Sequence, residues 1–261
     1  MHRRLGGLLA RALHTAAPAL RPALPRAHPR TLEFVERTGT APLPDPLTLS
    51  IIPDFLTQDE HDMLVLETTK KLRRLFGRQG YLEGHLDTVI KGYKEATISG
   101  WMTAATAQNE DEARVVAVLE RVKDAMDEWL GRDRAVKWGP PHLLDLRNGN
   151  SGIGAHVDFV QESGAVIGGV CLLSPSVIVF RHKDRPDTDH FKLLAPPRAL
   201  YMQADNIRYD YSHEIPMTDD PNHSFRGEFV ERERRISIMM RDKLVLKPGQ
   251  LPMFAARQSS Q

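Results

Sequence analysis

Two stretches in the first half of the chain place apolar residues at helical spacing. The first begins after Thr57, whose spacing to Glu60 is that of a capping box, and it ends at Gly77. The second covers residues 111–130 and is followed by another glycine. We therefore predict two amphipathic helices with a scaffolding role, preceded by a short strand and turn over residues 50–56.

From residue 138 onward the pattern changes to short runs rich in β-branched and aromatic residues, separated by Gly, Pro, Asn and Asp. Such runs predict strands, at residues 142–146, 153–160, 165–173, 177–182, 191–194, 199–202, 207–215 and 235–241. Short strands behind two helices favour a jelly roll or sandwich over an α/β nucleotide fold, in which helices alternate with strands. The predicted class is mostly β with flanking helices (α+β), a cupin-like double-stranded β-helix supported by N-terminal helices.

The first 32 residues differ in composition from the rest of the chain. They contain six arginines and no Asp or Glu before Glu33, which is typical of a mitochondrial transit peptide. A disordered basic tail is the alternative, but the polarity changes abruptly, and Pro18, Pro22 and Pro25 disfavour a folded element. We expect import into the mitochondrial matrix. The expected parts are a transit peptide (1–32), a single domain (33–250, with helical support in 50–131 and a jelly-roll core in 138–245) and a C-terminal tail (251–261).

Charge and hydropathy limit the partners of the mature protein. Without the six arginines of the first 32 residues, the net charge changes from +1 to −5. Binding of polyanions normally depends on a basic surface, so nucleic acid is possible but not favoured. The sequence has no apolar run of about 18 residues, so we expect no membrane span.

The spacing His-x-Asp occurs three times, so the spacing alone does not identify a metal site. His156 and Asp158 fall in a predicted strand, where positions i and i+2 point to the same face. The pairs that begin at His85 and His182 fall in polar stretches, and we interpret both as exposed surface. Further along, His213 lies in a strand-like run where an imidazole is an unusual choice for packing. We predict that His156, Asp158 and His213 hold a metal with open coordination positions.

The run from Arg235 to Arg241 suggests a second binding element. Alternation in a strand puts both arginines on one face and three apolar residues on the other. Inward guanidinium groups need anionic partners, because an unpaired buried charge is costly. A dicarboxylate such as 2-oxoglutarate would supply them, since arginine matches a carboxylate with two parallel hydrogen bonds. An edge strand with its arginines in solvent is the alternative, and the predicted metal site makes it the less favoured one.

Together these residues resemble the AlkB family of iron(II)- and 2-oxoglutarate-dependent dioxygenases. The match consists of His156-x-Asp158, then His213, then Arg235 and Arg241 separated by five residues. It covers about residues 48–245 and is nearest to a mitochondrial branch of the family, in agreement with the predicted transit peptide. The resemblance implies that the two histidines and the aspartate are iron ligands.

The resemblance also implies iron(II) as cofactor and 2-oxoglutarate and O2 as co-substrates. By the same resemblance, Arg235 would hold the distal carboxylate of 2-oxoglutarate, Arg241 would lie near its metal-side carboxylate, and Tyr201 would be a further contact. The chain departs from the nucleic-acid demethylases of the family at Asp145 and Arg147, where those enzymes have Asn and Tyr. Tyr201 is our candidate to replace the missing tyrosine.

The implied reaction couples oxidative decarboxylation of 2-oxoglutarate to hydroxylation of a substrate. In demethylases of the family, a lid rich in aromatic and basic residues holds a flipped base. The corresponding residues 77–108 contain only Tyr81, Tyr93 and Trp101 as aromatics. We therefore expect a protein or small-molecule substrate, with demethylation of mitochondrial RNA and a non-catalytic metal-binding regulatory module as alternatives. The resemblance further implies a role linked to regulated necrosis or fatty acid metabolism.

Overall fold

A computed structural model of the protein describes residues 28–45, 47–84, 89–131, 137–159 and 163–243. Its helices are α1 (Gln58–Phe76), α2 (Glu110–Leu130) and α3 (Asp205–Asp210). Its strands are β1 (Val35–Arg37), β2 (Leu49–Ile52), β3 (Ile90–Lys91), β4 (Tyr93–Thr97), β5 (His142–Leu146), β6 (Gly152–His156), β7 (Val166–Leu173), β8 (Ser176–His182), β9 (His190–Ala195), β10 (Leu200–Ala204), β11 (Tyr211–Ile215), β12 (Ser224–Phe225), β13 (Glu228–Phe229) and β14 (Arg235–Arg241). Single turns of 3-10 helix lie at Thr31–Phe34, Ser99–Trp101, Ala104–Thr106 and Pro221–His223.

The strands form two six-stranded antiparallel sheets and a small hairpin of β12 and β13. We call the sheet with the order β1-β9-β8-β11-β6-β3 the minor sheet, and the sheet with the order β2-β10-β7-β14-β5-β4 the major sheet. Neighbours in each order are often distant in sequence, as when β11 pairs with both β6 and β8. Two antiparallel sheets joined by such crossovers are typical of a jelly roll, so the predicted fold class is confirmed.

Apolar side chains form two main clusters, one on each face of the major sheet. The first fills the space between the sheets and includes Phe180 of β8 and Ile51 of β2. The second packs the helices against the outer face of the major sheet, with Leu64 of α1, Leu119 of α2 and Ile238 of β14. The two long helices therefore support the sheet that forms one wall of the interior, as the sequence predicts.

The ends of both long helices confirm the predicted boundaries. The Thr57 hydroxyl accepts from the Glu60 backbone amide at 3.2 Å, and the Glu60 carboxylate accepts from the Thr57 amide at 2.9 Å, which completes a capping box. The side chain of Asn109 caps α2. Both helices are followed by a glycine with positive φ, Gly77 and Gly131, which residues with a Cβ rarely adopt.

The prediction of one strand over residues 207–215 is wrong in its first half. Residues 205–210 form α3, and only residues 211–215 are extended, as β11. Alternating apolar residues in so short a run do not distinguish a strand from one helical turn, and Asp205 in the first turn favours the helix. The strand predicted over 153–160 also ends early, since β6 stops at His156 and Asp158 lies in the following loop.

Some strands of the structure were not predicted from the sequence, and some predicted segments lie outside the residues that the structure describes. The short strands β1, β3 and β4 fall outside the predicted strands. Residues 1–27 and 251–261, which contain most of the predicted transit peptide and the whole predicted tail, lie outside the described residues. Among the helices that the structure does describe, none has the length and apolar character needed to cross a membrane.

Candidate metal and co-substrate site

The three predicted metal-ligand side chains come together on the inner face of the minor sheet. His156 ends β6 and is directly paired with His213 of β11, and the centroids of their rings are 4.4 Å apart. Asp158 reaches the same point from the loop after β6, with a carboxylate oxygen 3.7 Å from Nε2 of His156. One potential ligand atom from each residue lies within 4.8 Å of the others. This set of donors fits one metal ion.

The hydrogen bonding of His156 leaves one ring nitrogen available to a metal. Its Nδ1–H donates to the carbonyl of Gly154 at 2.9 Å, so the lone pair of Nε2 faces Asp158 and His213. Burial opposes protonation of this ring. The contacts with Asp158 and with the Gly154 carbonyl outweigh burial, and they raise the pKa of His156 above its usual value.

The other two side chains are held in the forms that bind metals. Burial, which disfavours the imidazolium, lowers the pKa of His213 to about 4, so this ring is neutral at pH 7. Burial alone would raise the pKa of Asp158, but the contact with His156 and the Arg241 guanidinium hold it well below its usual range. A neutral imidazole and an ionised carboxylate are ready to coordinate without losing a proton.

These side chains line a cavity of about 290 Å³ between the two sheets. The opposite wall is β14, whose inward positions all reach the cavity: Arg235, Ser237, Met239 and Arg241. The alternate residues of β14 pack against the helices: Ile236, Ile238 and Met240. The predicted alternation of β14, with both arginines on one face, is therefore confirmed.

Arg235 is buried without an anionic partner. It is 1% exposed, and its guanidinium has only weak contacts, with the Ser237 hydroxyl at 3.4 Å and the Cys171 sulfur at 3.7 Å. Its Nε makes no hydrogen bond, and in the part of the chain that the structure describes no carboxylate lies within ion-pair distance. Arg241, by contrast, donates to the Asp158 carboxylate at 3.2 Å. An unpaired buried guanidinium is costly, so the cavity is suited to an anion that can reach Arg235.

Two polar residues of β10 line the cavity beside these arginines. Tyr201 is buried, which raises its pKa to about 12 and keeps its phenol protonated as a hydrogen-bond donor. Gln203, two residues further on the same face, is 2% exposed, and its Oε1 has no hydrogen-bond partner among the described residues. Our reading of the sequence missed Gln203, although strand alternation from Tyr201 could have found it.

The two positions at which the chain departs from the family pattern lie outside the cavity. Asp145 of β5 is buried on the opposite face of the major sheet, where Arg234 donates to it at 2.8 and 3.0 Å. The hydroxyl of Tyr81 also donates to Asp145, at 3.1 Å. Arg147 pairs with Glu83 at the surface. Neither residue is therefore placed to contact a ligand of the cavity.

The other two His-x-Asp pairs are not part of this site. His85 and Asp87 lie outside the described residues. His182 ends β8 and is half-buried, with its ring edge-on to that of Tyr211, and Asp184 is exposed. The second pair therefore lies at a partly exposed turn. The predicted exposure holds for Asp184 and only in part for His182.

Comparison with known proteins identifies close relatives of the chain. It is 37% identical over 190 residues to the mitochondrial alpha-ketoglutarate-dependent dioxygenase alkB homolog 7 of Mus musculus, covering 72% of this chain and 76% of the relative. The same protein of Bos taurus is 34% identical over 212 residues, covering 77% and 82%. No protein-family model matches the chain.

A solved structure supports the fold independently. A prolyl hydroxylase from Trichoplax adhaerens, in complex with a peptide of the hypoxia inducible factor oxygen degradation domain, superposes with a TM-score of 0.51 at 12% identity. The superposition covers 75% of this chain and 83% of the hydroxylase. At this level of identity the likeness concerns the fold alone.

Proposed function

The chain belongs to the alkB homolog 7 family of mitochondrial alpha-ketoglutarate-dependent dioxygenases, and we propose that it hydroxylates its substrate with iron(II) held by His156, Asp158 and His213. Alpha-ketoglutarate is 2-oxoglutarate, and family membership makes this compound and O2 the co-substrates. The proposal is carried by one observation, which is that the three ligand side chains share a cavity with the buried, unpaired guanidinium of Arg235.

Two imidazoles and one carboxylate are the donors of non-haem iron oxygenases, and the family of the chain favours iron(II) over a catalytic zinc ion, which binds the same donors. A closed structural zinc site would use four protein ligands, and calcium or magnesium would prefer oxygen donors throughout. Two histidines and one carboxylate on one side of a metal leave positions for ligands from solution, as in non-haem iron oxygenases. Once bound, the iron supplies the activation of O2 and the oxidation of a C–H bond that protein side chains cannot perform.

The protein residues bind and orient the co-substrate. Arg235 would bind the distal carboxylate of 2-oxoglutarate. This pairing would remove the free-energy cost of the unpaired guanidinium. Arg241, which donates to Asp158, would contact the carboxylate of 2-oxoglutarate at the metal end. Tyr201 would donate its phenolic hydrogen to the same ligand. Apolar residues such as Leu144, Ile178 and Phe180 complete the walls and limit the access of water.

Two observations support a protein side chain or a small molecule as substrate. The cavity of about 290 Å³ is at the small end for ligand sites, which are about 300–1,000 Å³, and the co-substrate takes part of it. The three aromatic residues of the region 77–108, where a lid would lie, make other contacts. Tyr93 and Trp101 are buried, and the Tyr81 hydroxyl donates to Asp145. They cannot stack on a flipped base in this arrangement.

The names of the relatives and the Arg-rich N-terminus support action in mitochondria, and we assign it to the matrix.

The proposal is tested by oxygen-dependent formation of succinate. The protein is loaded anaerobically with iron(II) and 2-oxoglutarate, exposed to O2, and assayed for succinate over a range of 2-oxoglutarate concentrations. We expect His156→Ala to abolish turnover. We expect Arg235→Ala to raise the KM for 2-oxoglutarate by about 30-fold or more, because one partner of a buried charge pair is lost.

Arg198→Ala is the matched control for Arg235→Ala. Arg198 pairs with Asp54, is one-third exposed and is not among the residues that line the cavity, so loss of its side chain should leave the KM unchanged. Equal rates of succinate formation by the wild type and His156→Ala would contradict the proposed function.

A further inference from the structure

The loop that carries Asp158 is held by Arg208, a residue of α3. Arg208 is 2% exposed and points its guanidinium at the backbone of this loop. Its Nη1 donates to the carbonyl of Asp158 at 3.0 Å, and its Nη2 donates to the Ser163 hydroxyl at 2.5 Å and to the Phe159 carbonyl at 3.5 Å. Ser163 donates in turn to the Phe159 carbonyl at 3.2 Å. One buried side chain thus binds the backbone of a candidate metal ligand, the backbone of the next residue and the side chain of Ser163.

Asp158 needs such support because the sheet does not provide it. The strand β6 ends at His156, so no ladder of backbone hydrogen bonds fixes the position of residue 158. A metal ligand that is misplaced by a fraction of an ångström binds less well, since coordination distances are narrowly defined. The direct contact between Arg208 and the Asp158 carbonyl replaces the missing ladder.

Arg208 also links the two segments that supply the ligands. It lies five residues before His213, in the helix that runs directly into β11. Its guanidinium therefore joins the element that carries His213 to the loop that carries Asp158. The ring of Tyr209 lies against the same guanidinium, 5.1 Å from it, which limits the freedom of the side chain.

We propose that Arg208 is a positioning residue for the metal, which sets where the Asp158 carboxylate lies relative to His156 and His213. This inference rests on the proposed iron site. Partners that orient metal ligands typically contribute about 10–100-fold to metal affinity. Loss of Arg208 should therefore weaken metal binding by about that factor, even though Arg208 does not touch the metal.

Arg232 provides a matched control for a role in folding alone. It is also a buried arginine, 4% exposed, whose Nη2 donates to backbone carbonyls, those of Gly149, Ser151 and Pro216. These carbonyls lie at the opposite end of the β6–β11 pair from the metal ligands. Removal of either arginine breaks bonds between a buried guanidinium and backbone, but only Arg208 contacts a candidate ligand residue.

The test is an anaerobic titration of the full chain with Co(II), followed by its visible absorption spectrum, on the wild type and on Arg208→Met, Arg208→Lys and Arg232→Met. Thermal unfolding of each metal-free protein is measured in parallel. We expect the Kd for Co(II) to rise about 10–100-fold in Arg208→Met, with a changed spectrum. Arg208→Lys should recover part of the affinity, because an ammonium can still donate to one carbonyl. Arg232→Met should lower the Tm and leave the Kd and the spectrum unchanged.

Wild-type affinity and spectrum in Arg208→Met would overturn the positioning role, as would an equal loss of affinity in Arg208→Met and Arg232→Met. If Arg208→Met does not fold, Ser163→Ala removes one contact of the same guanidinium, and a smaller rise in Kd is expected. A wild-type protein that binds no Co(II) would contradict the metal site itself. Tight binding by both the wild type and Arg208→Met would contradict only this inference.

Discussion

Individual residues of the cavity differ in how far their roles can be predicted from sequence. Arg235 is paired with Leu146 and Leu173 on its neighbouring strands. A charged residue in such an apolar run is unusual, and this makes it a candidate binding residue. The partners of Arg208 are mostly backbone carbonyls, which every residue possesses, and the sequence therefore carries no trace of its role. A local contact of this kind, such as the cap of α1, can be predicted from residue spacing, but a contact between a side chain and a distant stretch of backbone cannot.

Tyr201→Phe tests the proposed contact with 2-oxoglutarate at the scale of one hydroxyl group. The substitution keeps the buried ring and removes only the donor. A hydrogen bond to a charged group contributes about 1.5–3 kcal/mol, so the KM for 2-oxoglutarate should rise about tenfold or more. Initial rates of succinate formation at varied 2-oxoglutarate provide the measurement.

Tyr81→Phe is the control for the tyrosine substitution. Its hydroxyl donates to the Asp145 carboxylate on the far side of the major sheet, so its loss should cost about 1.5–3 kcal/mol of stability without a change in KM. An unchanged KM in Tyr201→Phe, or an equal change in both variants, would rule out the contact between Tyr201 and the co-substrate.

At the scale of elements, the long and strongly periodic segments could be predicted and the short ones could not. The helices α1 and α2 have capping residues, glycine ends and an apolar stripe, all of which point to the same structure. The helix α3 has six residues and an alternating pattern that fits a strand equally well. Short strands such as β3 depend on pairing with β6, a long-range contact that local pattern does not contain.

A buried ion pair between Lys71 and Glu112 joins α1 to α2. The two groups are 2.5 Å apart, with side-chain exposures of 13% and 3%. Burial alone would raise the pKa of Glu112, but the hydrogen bonds from Lys71 and from the Gln108 amide lower it below its usual value. We expect Glu112→Gln to reduce the free energy of unfolding at pH 7 by about 2–3 kcal/mol, as measured by urea denaturation.

The pH dependence of this effect has a defined sign. A carboxyl group whose pKa is lower in the folded state stabilises the protein above its unfolded pKa, about 4.3 for glutamate, and the effect is lost as the pH falls through the folded value. The difference between wild type and Glu112→Gln should thus shrink in acid. Glu120→Gln, on the same helix but half-exposed, should change stability by less than about 1 kcal/mol. A constant difference down to the lowest pH that keeps the protein folded would disprove the assignment to Glu112.

At the scale of the whole molecule, the fold brings together segments that are far apart in sequence. The jelly roll places β6 and β11 side by side in the minor sheet, and β14 and β10 face them from the major sheet. Residue types and spacing predicted His156, Asp158 and His213 as one metal site and Arg235 as part of a second binding element, and the resemblance to a family assigned roles to both. The size of the cavity and the loop around Asp158 depend on how the sheets pack, and they could be known only from the structure.

The most direct test of the proposed reaction follows the oxygen atoms of O2 into the product. The intact protein, loaded with iron(II) and 2-oxoglutarate, is exposed to ¹⁸O₂, and the succinate is analysed by mass spectrometry. Oxidative decarboxylation by O2 transfers one of its atoms to the new carboxylate, so we predict succinate that carries one heavy oxygen, with none formed by His156→Ala. Succinate without the label, or labelled succinate in equal amount from His156→Ala, would contradict an oxygenase reaction at this site.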